Sequence, residues 1–341
     1  FDTDPIEMIV EGDVLRANNT TLGGDDGIAV AYGLAILDAD DIPHPPLELL
    51  VTTNEETGMD GAMALTADHL TGTRLLNLDT EVEGDFLVSC SGGSNIDLSF
   101  DIAREANPSK AYKLSISGLK GGHSGVEIDK QRANAIKLAA RLLYLVKADV
   151  RLASFDGGIK HNAVPANAEV VFATDSFDSL KEGLDALIAD LKEEYRVEDP
   201  GLTINITETT ADQVYTKDLS DSVIDMIMAL PDGVQYMSKD IEGLVQTSLN
   251  NSLILENDGK LVLTTSVRSA SSSSLREILN RVTIIANRMG AVAREYSSYP
   301  AWQYEAVSPL RDIAEKIYVE MYGKEPNITS IHAGLECGLL K

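Results

Sequence analysis

A chain of 341 residues with 54 acidic and 28 basic side chains carries a formal net charge of -26, which leaves no basic footprint for nucleic acid or an anionic membrane. Its 44% hydrophobic content is enough for real cores, and the length suggests two domains. The two cysteines, Cys90 and Cys337, form no CxxC, so neither a disulfide framework nor a thiolate zinc site is expected and a reducing cytoplasm is the default compartment.

Met8 to Arg16 read as a short hairpin around Glu11-Gly12-Asp13. Thr20 to Gly27 then leads into an apolar helical run from Ile28 to Leu37, with Asp25 and Asp26 at its entrance. An aspartate there serves as an N-cap, while the flanking glycines let the backbone approach a ligand. A proline-rich link, Ile42 to Pro46, carries His44, which reads as an exposed loop histidine. Leu47 to Thr53 reads as a strand covered on both faces, and Glu55 and Glu56 follow at its carboxyl end, where α/β folds build their sites. Two neighbouring carboxylates repel, and a bound cation keeps both ionised; alternatively they are solvated glutamates opening the next helix. After a helix through Ala62, Met63 and Leu65, the apolar stretch Arg74 to Leu78 reads as a further strand that ends on Asp79.

From Ile96 the texture changes to alternating strands and exposed helices. The order from Tyr112 to Thr207 is a β-α-β-β-α-β ferredoxin-like unit. An α-β-β-α-β order follows from Ser222 to Tyr296, with a turn at Asn257-Asp258-Gly259, so a second related lobe is expected. Ser271 to Ser274 reads as the N-cap region of a helix rather than a linker. After Trp302 a helix from Pro309 to Met321 and a short strand, Ile328 to Ile331, return the chain to its first texture. The expected organisation is a discontinuous catalytic domain, residues 1–95 and 300–341, with an inserted lid domain, residues 96–299, made of lobes at about 96–210 and 211–299. No apolar run reaches the roughly 18 to 20 residues of a membrane span, and no signal-peptide pattern is present. The start at Phe1 rather than Met reads as that of an internal piece.

Asp25, Asp26, Glu55, Glu56 and Asp79 stand at strand or helix ends as hard oxygen donors, a set that suits a pair of divalent metal ions completed by histidines. Two such ions polarise an amide carbonyl and activate a water, and a glutamate not bound to metal moves the proton to the leaving amine. Glu55 or Glu56 fits that task.

The segments TTLGGDDGIAVA (Thr20 to Ala31), TTNEETGMDGA (Thr52 to Ala62), NLDTEVEGD (Asn77 to Asp85), GLKGGHSGVEI (Gly118 to Ile128), HNAVPANAE (His161 to Glu169) and IHAGLECGL (Ile331 to Leu339) occur in order along nearly the whole chain. In these segments the chain resembles the co-catalytic metal exopeptidases that include peptidase T, carboxypeptidase G and aminoacylase, and within them the aminoacyl-histidine dipeptidases. The resemblance implies an α/β zinc-exopeptidase-like catalytic domain with an inserted lid of ferredoxin-like α+β lobes. It implies two divalent ions, zinc foremost with manganese or cobalt as alternatives, bridged by Asp25 and held terminally by Glu56 and Asp79, with Glu55 as general base and Asp26 only a neighbour. It also implies that His123 meets the substrate carbonyl or transition state, and that Asn162 and Arg268 contact the substrate, Arg268 through its terminal carboxylate. The bland alternatives are a turn-capping histidine, a turn-closing asparagine and an arginine paired with an acid.

The expected activity is hydrolysis of Xaa-His dipeptides by a cytoplasmic metallo-dipeptidase. The alternatives are an aminopeptidase, tripeptidase or amidohydrolase of other specificity, or a non-catalytic binding protein on the same fold. The expected partner is a small peptide substrate, with a homodimer through a lid edge strand set against a second lobe that replaces that partner internally. The family's upstream His-x-Asp pair and downstream ligand histidine have no match here, and His44, His161 and His332 do not stand in those motifs. The expectation is therefore that this stretch by itself is short of ligands and inactive.

Overall fold

The computed structural model describes residues 4–341, with the side chains of Glu56 and Thr57 outside the described set. The chain divides into two compact units, Phe1–Asp85 with Pro309–Asn327, and Phe86–Ser308 with Ile328–Lys341.

In the first unit, β1 (Met8–Glu11) and β2 (Val14–Ala17) form the expected hairpin, Glu11 opposite Val14. The apolar helix is α1 (Gly27–Asp38), and two short helical turns follow, α2 (Glu55–Gly58) and α3 (Asp60–Met63). Met59 and Ala62 are buried here, whereas no residue of α1 is. The expected strands Leu47 to Thr53 and Arg74 to Leu78 are not formed: both segments lie outside any β-ladder, and Leu47, Leu49 and Val51 are exposed. A strand exists through its neighbour's hydrogen bonds, and among the described residues neither segment has a ladder partner. What holds the first of them is Glu48, whose carboxylate accepts from Thr71 N–H and Oγ–H and from Gly72 N–H.

The second unit begins with β3 (Asp85–Cys90) and β4 (Gly92–Asp101), followed by the short β5 (Arg104–Ala106). Then come β6 (Ala111–Ser117), α4 (Ala135–Val146), β7 (Arg151–Gly157), β8 (Ala168–Ala173), α5 (Phe177–Glu194) and β9 (Thr203–Thr209). Their spatial order, β9-β6-β8-β7 with every pairing antiparallel, is that of a ferredoxin-like lobe. After β10 (Gln213–Tyr215), which pairs β5, the chain adds α6 (Lys217–Ala229), β11 (Gly233–Met237), β12 (Val245–Asn257), β13 (Lys260–Ser269), α7 (Ser272–Arg288) and β14 (Val292–Tyr299). α8 (Pro309–Tyr322) belongs to the first unit, and β15 (Asn327–Ile331), which pairs β3, and α9 (Cys337–Leu340) close the chain.

The second lobe, which reads from sequence as lacking a first strand, takes β4 for it, because β4 lies between β13 and β14. Its order, β14-β4-β13-β12, repeats that of the first lobe, which is therefore threaded between β4 and α6. Among the described residues nine strands share this sheet, the lobes meeting where Ile254 of β12 pairs with Gly157 of β7. Next to that contact Gly158 has φ +77°, and a Cβ there would stand 2.0 Å from Ser252 O, so the strands approach this closely only at glycine.

Patterning explains the elements. In β4 the buried Ile96, Leu98 and Phe100 alternate with Asp97, Ser99 and Asp101. In α4, Ile136, Leu138, Ala139, Leu142, Leu143 and Val146 make one buried face, and the Asn134 side chain caps the helix by accepting from the Ile136 and Lys137 N–H groups. Ser271 caps α7 by accepting from Ser274 N–H, as its place before the helix suggested. Across the lobes, Asp232 Oδ1 accepts from Asn134 Nδ2 and from both N–H and Nδ2 of Asn251.

Candidate active site

In the first unit the loop before α1 separates its two aspartates. Asp26 is the N-cap, its Oδ1 accepting from Ala29 N–H at 3.3 Å. Asp25 is hydrogen-bonded to the carboxyl of Asp79, with Glu55 and Asp26 close enough for their charges to bear on it. Partial burial first, and then this bond and these charges, push the Asp79 carboxyl up to about 7. Asp79 is held by its own N–H, which donates to Asn77 Oδ1 at 2.8 Å.

Glu55 opens α2 directly after Asn54, which has φ +61°. That turn is clasped at its base: Gly61 N–H donates to Thr53 O, Met59 N–H to Asn54 O, and Asn54 Nδ2 to Asp60 Oδ2 at 2.5 Å. Glu56, the expected terminal ligand, has its backbone in α2, but its side chain lies outside the described residues. Among the described residues no three His, Cys, Asp or Glu side chains are gathered so as to hold a metal ion. The donor chemistry nonetheless fits one: carboxylate oxygens of like charge set close together are what a hard divalent ion neutralises.

The second unit gathers His123, Arg268 and two further histidines. The GGHSG loop is joined to the NAVP loop by Ser124 N–H donating to Asn162 O (2.8 Å) and Val164 N–H donating to Gly122 O (2.9 Å). Asn162, expected to contact substrate, thus braces the loop of His123 through its backbone. The His123 ring accepts at Nδ1 from Gly125 N–H (3.1 Å) and Val126 N–H (3.2 Å), so in the neutral ring the proton sits on Nε2. Burial, then the Arg268 charge, holds this histidine below its ordinary pKa. The outcome is a neutral N–H donor.

Arg268, on β13, is half-buried, and among the described residues it pairs with no acid. Its Nη1 donates to the Tyr299 hydroxyl at 2.8 Å, and its buried Nε has no hydrogen-bond partner among the described residues. Its charge also depresses His161, after partial burial, and His332, whose burial pushes it down to about 3. His332 is held neutral between Ser91 Oγ, 2.8 Å from Nδ1, and Ser248 Oγ, 2.7 Å from Nε2. Reading the sequence gave no role to His332 or Tyr299. His332 stands in the IHAGLECGL segment, which was the available signal, and nothing local marks Tyr299. The outcome is an unneutralised guanidinium ringed by neutral imidazoles, a setting for an anion.

The peptidase dimerisation domain of the M20 peptidases matches residues 114–200, which fall in the first lobe. The cytosol non-specific dipeptidase of Escherichia coli (strain K12) is 36% identical over 348 residues, covering all of this chain and 72% of that protein. The crystal structure of aminoacylhistidine dipeptidase from Vibrio alginolyticus superposes with a TM-score of 0.90 at 38% identity, covering 99% of this chain and 71% of that one. The chain belongs to the M20 metallopeptidases, with their α/β fold and inserted lid-type domain. It is a hydrolase of peptide bonds of the dipeptidase kind. Among the described residues no helix is long and apolar enough to cross a membrane.

Proposed function

We propose that the protein hydrolyses Xaa-His dipeptides with two divalent ions, zinc foremost and manganese or cobalt as alternatives, in the cytoplasm. The observation that carries the reading is the Asp25–Asp79 pair with the charge of Glu55 beside it. Asp25 and Asp79 would hold the ions, together with Glu56. Bound there, such ions supply Lewis acidity toward the scissile carbonyl and lower the pKa of the attacking water.

The chain's own groups do the rest. Glu55 takes the proton from the water and passes it to the leaving amine. The Nε2–H of His123 donates to the carbonyl oxygen as charge gathers on it, a role that its neutral, Nδ1-accepting state favours. Arg268 binds the terminal carboxylate of the peptide, supported by its lack of an acidic partner among the described residues, and Asn162 adds a polar contact. We assign residues 1–95 and 300–341 to catalysis and 96–299 to the lid.

A homodimer is the assembly we expect, on the description of the matched domain; β7 and β12 already pair within the chain, so a partner would use another surface. Light scattering tests it.

The activity is tested with metal-loaded protein on Xaa-His dipeptides against matched dipeptides ending in other residues. Chelation should abolish cleavage and zinc or manganese restore it, with faster turnover of Xaa-His. Cleavage that survives chelation would refute the metal, and equal turnover of both sets would refute the specificity.

A further inference from the structure

Arg268, Gly93 and Tyr299 stand opposite one another on three adjacent strands, β13, β4 and β14. Two features of the sequence create this row. First, β14 is bulged: its register to β4 shifts between Tyr296 and Tyr299, where Ser297 takes φ +50°, and the shift brings Tyr299 opposite Gly93. Second, the middle position is glycine. A Cβ on Gly93 would stand 2.5 Å from the Tyr299 hydroxyl oxygen and 2.6 Å from the ring carbon that bears it, so any side chain there displaces the phenol. Across this gap the Tyr299 hydroxyl accepts from Arg268 Nη1 at 2.8 Å. From its other side the ring is backed by Gly334, where a Cβ would meet it at 2.7 Å.

The chemical character of the partner matters as much as its place. A carboxylate at the position of the phenol would fix Arg268 equally well but would neutralise it. A phenol fixes one nitrogen of the guanidinium fork and leaves the whole positive charge for an incoming anion. The buried, unpartnered Nε and the absence of an acidic partner among the described residues are what such a design requires.

We infer that Tyr299, delivered by the β14 bulge over Gly93, is a positioning residue that aims Arg268 at the substrate's terminal carboxylate and so sets the preference for peptides with a free C-terminus. The inference rests on the reading of Arg268 given above, and the experiment separates the two. Wild type, Arg268→Ala, Tyr299→Phe and Gly93→Ala are assayed on one dipeptide and on its C-terminal amide. Tyr299→Phe keeps the ring against Gly93 and Gly334 and removes only the acceptor; Gly93→Ala keeps the acceptor and pushes it away. For both, KM for the free acid should rise roughly tenfold, the scale of one lost hydrogen bond to a charged group, while KM for the amide stays at the wild-type value. Loss of the free-acid preference in Arg268→Ala upholds its carboxylate role, and equal losses on acid and amide there overturn that role. With Arg268 upheld, a wild-type KM for the free acid in Tyr299→Phe overturns the positioning role, as does a rise shared equally by acid and amide. Should Tyr299→Phe fail to fold, Gly93→Ala decides by the same two readings.

Discussion

Two adjacent aspartates at the entrance of α1 have separate duties, one turned to the helix and one to Asp79. Asp26→Ala should therefore cost about 1 kcal/mol of stability, the usual loss for an N-cap, and leave metal content unchanged. Asp25→Ala should lose metal. The reverse pattern, read by thermal melting and metal analysis, would exchange the two roles. Glu55→Gln should retain metal and lose turnover by roughly a hundred- to ten-thousand-fold, whereas Glu56→Gln should weaken metal binding. If both variants bind metal and turn over normally, neither assignment holds. At this scale the place of Asp25 and Asp26 before a helix was legible, because glycine-flanked acids at a helix entrance leave a local trace, whereas the approach of Asp25 to Asp79 was not. His332 and Tyr299 were not. Their partners Ser91, Ser248 and Arg268 are brought to them by sheet pairing across distant parts of the chain.

Helices and hairpins follow local pattern, and α4, α7 and the β12–β13 turn at Asp258-Gly259 stand where periodicity and turn chemistry put them. β4 shows where such reading stops. The order read from the sequence places no strand there, and nothing local says that its neighbours are β13 and β14, beyond an entire intervening lobe. Leu47 to Thr53 shows the converse: strand-like composition cannot make a strand without a ladder partner. Leu98→Ala, at a fully buried position of β4, should cost roughly 2–5 kcal/mol. Hydrogen exchange should protect the β4 amides together with those of β13 and β14. Exchange of β4 in step with β6 to β9 instead would show that it belongs energetically to the first lobe. Removing Asp232 leaves Asn134 and Asn251 without their shared acceptor, and Asp232→Ala should destabilise by about 3 kcal/mol.

For the whole molecule the histidines of the second unit set an acid limit. His332, His161 and His123 all titrate below their ordinary range when folded, His332 at about 3. Unfolded, each accepts a proton near pH 6.5, so the folded state binds fewer protons between that pH and its own lower pKa. Stability from this source is full above about pH 6.5 and is lost as pH falls toward 3, by about 1.4 kcal/mol per unit for a single histidine. Asp232, raised by burial, and Asp79, raised first by burial to about 7, oppose the trend, since their neutral forms suit the fold. Melting temperatures should fall from pH 7 to pH 4.5, and His332→Gln should flatten the fall. A slope unchanged by that substitution would remove His332 as its source.

The threading of one lobe through the other also sets an order of events on the ribosome. β6 to β9 are contiguous in sequence and can close as soon as they emerge, but β4, made before them, has no neighbour until β13 is made. Translation at about 5–20 residues per second leaves β4 unpaired for on the order of ten to thirty seconds. During that interval Ile96, Leu98 and Phe100 are apolar and their backbone edge is open, the conditions under which nascent chains pair with the wrong strand. Asp97 and Asp101 interleave them with negative charge. In the finished protein Asp97 accepts from Thr264 Oγ and Asp101 pairs with Lys260, both on the strand for which β4 waits. The same two acids that keep nascent copies apart thus help to select the correct neighbour once it arrives.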